Sequence, residues 1–483
     1  MDNLKSKTTK GIFWSSIQTF STQGIQFIVS IILARLLMPS DYGLIGMLGI
    51  FTAVSGAFVN SGFSQALIRK QNCSEEDFST VFYFNIVVAV FFYFVLFFTS
   101  PFIAAFYDVP ALEKITKIVA LNLIISSFVI VHHAKLTKKI DFKTQMKASL
   151  LSVIISGIAG ITLAYGGFGV WALVVQILTA SFITTIMLWY YSKWRPKTGF
   201  SKNSFKELFG FGSKLLASGL LDTIYNNIYT IVIGKKFSQK ELGFFTRATS
   251  LAQFPSSNIT NILQRVTFPV LSAIQDDDEK LRNSYRKLLK LSAFIIFPLM
   301  VGMVALADPL IRFLLTDKWQ DTIVLLQLIC FSMMWYPIHA INLNLLQVKG
   351  RSDLFLRVEI IKKIVGVTVL VITIPLGLIA MCVGMIFISI ICLTINIYYT
   401  GKLINVGFFK QMNDLSSILI YSFSMGLIVF GVTKIIHSDL LSLITGLLSG
   451  TIFYLGVAKL TKSPELEEIK NLLPNKLSKH NER

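Results

Sequence analysis

Charge is what this chain has least of. Only 15% of its 483 residues are Asp, Glu, Lys or Arg, against roughly 25% in an average soluble domain. With 53% hydrophobic residues and a mean hydropathy of +0.65, that scarcity excludes water as the solvent of the fold and puts the bilayer in its place. Cysteine is also scarce. Cys330, Cys382 and Cys392 lie inside apolar runs and Cys73 in a polar stretch, with no CxxC pair or ligand-like spacing. A disulfide framework and a zinc site are therefore excluded. The start, MDNLKSKTTKGIFWSS, has no small-residue cleavage site after its apolar stretch, so it reads as a retained first membrane helix and not as a signal peptide. Long polar connections and any nucleophile–base constellation are missing too, which argues against an enzyme.

What is there is a net charge of +19, set in short segments between apolar runs. HHAKLTKKIDFKTQMK and YYSKWRPKTGFSK are two of them. This placement reads as membrane topology, not as a nucleic-acid footprint. At about 20 apolar residues per crossing, about fourteen spans fit between residues 12 and 459. With the N-terminus inside, the cytoplasmic connections and the tail hold about 33 of the 45 Lys and Arg residues, an asymmetry that supports both this orientation and an even number of spans.

The chain also repeats itself. IILARLLMPSDYGLIG at 31–46 returns as IVIGKKFSQKELGFFT at 231–246: a cation at Arg35 and Lys235, an acid at Asp41 and Glu241, a glycine at Gly43 and Gly243. An offset of 200 covers six spans and restores orientation, so the halves are expected to be parallel repeats. A fainter echo pairs GFGVWAL at 167–173 with PLGLIAM at 375–381. The expected organisation is an all-α integral membrane protein with one six-helix bundle over 1–200 and a second over 201–405. Two added helices over 406–462 and a cytoplasmic tail over 463–483 complete it.

Polar residues within the spans are the candidates for function. In the eighth span, near 243–270, Arg247, Ser250, Phe254, Asn258, Asn261 and Arg265 keep one helical face in register. Pro255 is expected to kink this span. The bland alternative is that Arg247 and Arg265 reach to head groups at the span ends and bind nothing. The seventh span carries Lys214, Ser218, Asp222, Asn226 and Thr230, which the offset maps to Trp14, Gln18, Thr22, Gln26 and Ser30 on the first. Asp222 reads either as a proton or sodium site or as a structural partner for a cation or amide. Asn60 and Gln65 on the second span, and His339, Asn342, Asn344 and Gln347 on the tenth, are weaker candidates. His132 and His133 are expected at the interface, and Glu359 with Lys362 and Lys363 as a charged group at the cytoplasmic end of a helix. GGFG at 166–169 reads as a tight turn. DDDE at 276–279 reads as acids complementing a helix N-terminus.

The runs FSTQGIQFIVSIILARLLMPSDYGLIGM, GFSQALIRK, GFGVWALV and LQRVTFPVLSAIQDD resemble the polysaccharide transport family, which includes Wzx-type flippases, and within it the branch typified by the colanic acid exporter. The resemblance covers roughly residues 5 to 410. It implies the fold shared by drug/sodium antiporters and peptidoglycan-precursor flippases, with two six-helix bundles around a central cavity. It also implies movement of undecaprenyl-pyrophosphate-linked oligosaccharides across the bacterial inner membrane, with proton or sodium coupling and a polysaccharide polymerase and chain-length machinery as further partners. On that implication Arg247 would meet the pyrophosphate or an acidic sugar, and Asn258 and Asn261 would meet sugar hydroxyls. Arg265, Lys214, Asn226, Gln18, Gln26 and Asn60 would line the cavity, while Arg35 and Lys235 would stand at its outer mouth. A cation-coupled drug exporter of the same superfamily is the competing reading, weakened because residues 12 to 35 hold no Asp or Glu. A membrane-embedded polymerase is the third.

Overall fold

The computed structural model describes residues 2–472, apart from the side chains of residues 2–13, 15–17, 262, 265, 266 and 472. The described residues form helices and turns, without a strand. In order they are α1 (Asp2–Leu36), α2 (Pro39–Asn60), α3 (Phe63–Arg69), α4 (Glu75–Tyr107), α5 (Ala111–Val119), α6 (Leu121–Ser127) and α7 (Ile130–Lys138). Then come α8 (Phe142–Tyr165), α9 (Val170–Ser192), α10 (Lys202–Lys236), α11 (Gln239–Ala273), α12 (Asp278–Ala305) and α13 (Ala307–Leu315). The last are α14 (Thr322–Met333), α15 (Tyr336–Val348), α16 (Ser352–Thr373), α17 (Leu378–Ile404), α18 (Phe408–Ile435), α19 (Asp439–Leu460) and α20 (Pro464–Leu472).

Among the described residues, eleven helical stretches are long and apolar enough to cross a membrane. Three more helices, α10, α11 and α16, have 35, 35 and 22 residues. At 1.5 Å per residue each exceeds about 30 Å of hydrocarbon. Their polarity keeps them out of the apolar set, and they carry most of the charged candidates singled out above. Four expected spans are not single helices: the second, near 42–67, is α2 followed by α3, the fourth is α5, α6 and α7 end to end, the ninth, near 291–314, is α12 followed by α13, and the tenth is α14 followed by α15. Pro337 in the first turn of α15 accounts for the break in the tenth.

The second repeated corner is a capping box, and the first keeps its acidic half. Asp41 Oδ2 accepts from the Met38 amide at 2.9 Å, and Pro39 opens α2. At the second corner Glu241 Oε2 accepts from the Ser238 amide at 2.9 Å, and the Glu241 amide donates to Ser238 Oγ at 3.1 Å. The two corners also touch. A β-carbon built on Gly43 would lie 1.9 Å from the carbonyl oxygen of Gln239, and one on Gly243 would lie 1.9 Å from that of Pro39. Only glycine allows so close a backbone approach.

Contacts divide the chain into two compact units, Met1–Gly243 and Phe244–Arg483. The repeat expected from the sequence would divide it near residue 200, which is a different division. The difference is α10, which would open the second repeat yet packs along α2 and against α3 and α4. Glycines bring these backbones together: a β-carbon on Gly62 would sit 2.6 Å from the Gly212 carbonyl, and one on Gly212 2.8 Å from the Ser61 carbonyl. Elsewhere in this unit α8 lies between α1 and α9. Gly157 meets Val29, and Gly160 meets Gln176, the small-residue contacts typical of helices in lipid.

In the second unit α12 packs against α14, α15 and α18, and α18 carries α19. Gly426 faces Val301, and Gly450 faces Val429. Arg286 on α12 clamps Asp414 on α18 through Nε and a terminal nitrogen, each at 2.6 Å, and Lys290 stands 3.3 Å away. Beside this pair, buried Tyr285 has its hydroxyl 2.9 Å from Asn342 Oδ1 and 3.2 Å from Gln411 Oε1, and Thr400 donates to the same Asn342 oxygen at 2.6 Å. The Tyr454 hydroxyl on α19 donates to the Phe294 carbonyl at 2.9 Å.

Candidate functional site

α11 has two unlike faces. Ser256, Thr260 and Thr267 are buried and tie the helix into its own unit. Ser256 donates to the Met333 carbonyl at 2.9 Å, and Thr267 Oγ1 accepts from Asn344 at 3.2 Å. The stripe picked out by spacing lies on the other side. Ser250, Phe254 and Asn261 are exposed and Asn258 is half-buried, its amide turned back onto the Phe254 carbonyl at 2.7 Å. Arg247, at the start of the stripe, is 5% exposed. An arginine at a span end that merely reaches to head groups keeps its guanidinium in water, and Arg247 does not. The side chain of Arg265 lies outside the described residues.

On α10 the same division holds. Leu208, Gly212, Ile233 and Gly234 are buried, whereas Lys214, Ser218, Asp222 and Asn226 are exposed. On α1, Gln26 is exposed and half-buried Gln18 approaches Ser149 Oγ at 3.5 Å. Asn60 is exposed at the last turn of α2. Lys214, Ser218, Asp222 and Asn226 on α10 and Ser250, Phe254 and Asn261 on α11 therefore lie away from the buried residues of their helices, whereas Arg247 is buried.

At the corners Arg35 is exposed. Lys235 is paired with Asp108 at 3.0 Å and lies 5.3 Å from the centre of the Phe106 ring. Asp108 was not among the sequence candidates. The signal was available: it is the acid that ends the long apolar run of α4, where it takes a left-handed turn with φ of 57°. Outside the stripes, His132 is buried, set against Trp189 and Trp194 with ring centres 5.0 and 5.3 Å away, its Nδ1 2.5 Å from Ser192 Oγ. The Asp276–Glu279 run supplies a cap, Asp277 accepting from the Lys280 amide at 3.0 Å. Backbone and side-chain hydrogen bonds from Lys280 hold the Asp277 carboxyl below its usual range. No group of three or more His, Cys, Asp or Glu side chains able to hold a metal occurs among the described residues.

A multi-span all-α fold with polar stripes on otherwise membrane-sized helices defines a class, that of membrane transporters. Solved structures share the fold. The lipid II flippase MurJ in an inward closed conformation superposes with a TM-score of 0.76, covering 92% of this chain and 98% of that one at 16% identity. An inward-facing MATE multidrug resistance transporter of the MOP superfamily does so at 0.63, covering 82% and 98% at 17% identity. The sequence then narrows the class. The profile described as "Polysaccharide biosynthesis protein" matches residues 32–324, more than half of the chain, and the protein belongs to that family. Similar proteins include the teichuronic acid biosynthesis protein TuaB of Bacillus subtilis, 25% identical over 73% of this chain and 74% of its own length. The lipopolysaccharide biosynthesis protein WzxC of Escherichia coli is 25% identical over 80% of each chain. The chain is thus a polytopic membrane protein of the polysaccharide-export and flippase superfamily and not an enzyme.

Proposed function

We propose that this protein is a flippase that moves undecaprenyl-pyrophosphate-linked oligosaccharide repeat units from the inner to the outer leaflet of a bacterial inner membrane, for assembly of a surface polysaccharide. On this reading all fourteen long helices cross the bilayer, as repeats over 1–200 and 201–405 and two added helices over 406–462. Both termini are cytoplasmic. A polymerase and chain-length machinery receive the product.

The observation that carries the reading is buried Arg247 on a stripe of amides and hydroxyls, in a long helix too polar for lipid. An unpaired pyrophosphate in hydrocarbon costs many kcal/mol. A guanidinium forks onto phosphate oxygens, and amides such as Asn258 and Asn261 suit sugar hydroxyls. Lys214, Asn226, Gln18, Gln26, Asn60 and Arg265 extend the path, with Arg35 and Lys235 at its outer end. Transport proceeds by alternating access. The names of TuaB and WzxC, both polysaccharide biosynthesis proteins, support the substrate class.

Deletion of the gene, followed by analysis of lipid-linked intermediates, tests this. Repeat units trapped on the cytoplasmic leaflet are expected. Unpolymerised repeat units already outside would replace the flippase by a polymerase.

A further inference from the structure

We infer that the first turns of α12 carry a binding site for the phosphate of an anionic phospholipid, and that the tail helix α20 covers this site until lipid displaces it. The inference goes beyond the export reading, because it needs a bilayer beside the site and not a particular substrate.

Asn283, Arg286, Lys287 and Lys290 recur at steps of three, one and three, so they share one face of α12. α20 packs against α12 and α19. Lys462, with φ of 50°, turns the chain out of α19, and Pro464 opens α20. Lys287 then pairs with Glu468. Glu465 is 9% exposed, and its Oε2 accepts from buried Ser463 at 2.5 Å. Between the two helices lies a cleft of about 240 Å³, lined by the four side chains of α12 on one side and by Glu465 and Glu468 on the other.

Charge identifies what this face of α12 binds. Asp414 of α18 answers Arg286 and Lys290. With α20 in place, the three cations of α12 meet three carboxylates, those of Asp414, Glu465 and Glu468. With α20 lifted they meet Asp414 alone, and two positive charges are left uncompensated. The acids of α20 thus occupy the place of an anion from outside the chain. Asp414 takes Nε and one terminal nitrogen of Arg286, so the other terminal nitrogen keeps its donors, and two ammonium groups supply more. Phosphate oxygens suit such a set.

The position of the cleft points to a lipid and not to a soluble anion. α19 is apolar enough to cross a membrane and has 22 residues. At about 33 Å it is little longer than one crossing of about 30 Å. Ser463 comes three residues after its end at Leu460, and α20 therefore starts at the edge of the hydrocarbon. Phe409, one turn before Asp414 on α18, is 88% exposed at the same end, as aromatic residues are at a lipid–water boundary. Cations placed there draw the anionic lipids of the adjoining leaflet.

The test places the full-length protein in nanodiscs of phosphatidylcholine with increasing phosphatidylglycerol. Lys470→Cys on the exposed side of α20, in a Cys73→Ser background, carries a nitroxide label, and the other three cysteines are buried. The label is expected to be immobilised in phosphatidylcholine, and phosphatidylglycerol to raise the ratio of mobile to immobile label at least about fivefold. Lys290→Gln, which spares the Lys287–Glu468 pair, is expected to hold that response within about twofold. Glu468→Gln is expected to move it to lower fractions of phosphatidylglycerol. Lys410→Gln, in the first turn of α18 and outside the cleft, should keep the wild-type response. Lys290→Met serves as the second variant if Lys290→Gln lowers Tm. A label that ignores phosphatidylglycerol overturns the inference, as does a loss with Lys410→Gln equal to that with Lys290→Gln. Equal release by inorganic phosphate in pure phosphatidylcholine overturns it too, since the ligand would then be a soluble anion.

Discussion

Gly43 rests on the backbone of the helix start that carries Gly243, and Gly243 rests on the backbone of the helix start that carries Gly43. The reciprocity is that of a local two-fold axis between two copies of one corner. It accounts for the conservation of the corner within this chain better than turn chemistry alone, which needs Pro39, Asp41, Ser238 and Glu241 but neither glycine. A carbonyl oxygen 1.9 Å from a built β-carbon belongs to a helix backbone and does not turn aside.

Gly43→Ala and Gly243→Ala are therefore each expected to lower stability by about 2–3 kcal/mol, within the range for forced overpacking. The double substitution should cost less than the sum, because the first already separates the corners. Thermal unfolding in detergent measures both effects. Additive losses would show that the two contacts are independent.

The caps at the corners make a smaller, separable contribution. Asp41→Ala and Glu241→Ala each remove an acceptor from a helix start and should cost about 1 kcal/mol, with Asp41→Asn costing less. The measurement is the same Tm series, and a loss from Asp41→Ala as large as that from Gly43→Ala would contradict the separation of roles.

Asp414 ties α18 to α12 within the second unit through Arg286, whose side chain is 30% exposed against 3% for Asp414. Breaking a fully buried pair costs about 3–5 kcal/mol. Solvent screening at Arg286 lowers the expectation for Asp414→Ala to about 1–3 kcal/mol. Adding Arg286→Met to that protein should restore part of the loss, and urea unfolding in mild detergent reads the difference.

Arg247→Ala is expected to reduce export of the native lipid-linked substrate at least about tenfold, since a charge-assisted hydrogen bond is worth about 1.5–3 kcal/mol. Arg247→Lys should recover only part, lacking the planar fork. Lys235→Ala, which removes an exposed pair with Asp108, should change stability by less than about 1 kcal/mol. Accumulation of cytoplasmic-leaflet intermediates at matched expression distinguishes the three proteins. Unchanged export with Arg247→Ala would remove this residue from the path.

Much of the fold was legible because hydropathy and length decide it. The membrane class, the long apolar helices and the repeated corner all follow from composition and pattern. The exposed stripe on α11 was legible because its polar residues recur at helical spacing, whereas the burial of Arg247 at its start was not. The breaks in the second, fourth, ninth and tenth spans were not, since a run of apolar residues looks the same whether one helix or three carry it. Nor was the pairing of Lys235 with Asp108, since the acid that ends α4 is visible in the sequence but lies 127 residues from Lys235. The placement of α10 was hidden for a related reason. Repeats report ancestry, whereas packing is settled by which backbones can approach, here those of Gly62 and Gly212.

That placement matters to anyone who cuts or recombines this chain. A junction at residue 200 follows the duplication but strips α10 from the flank of α2 and leaves the crossing at Gly62 uncovered. A junction after residue 243 keeps the helix pair and both corner glycines on the same fragment. Chimeras with related exporters should be spliced there, and co-expressed halves cut there have the better prospect of assembling.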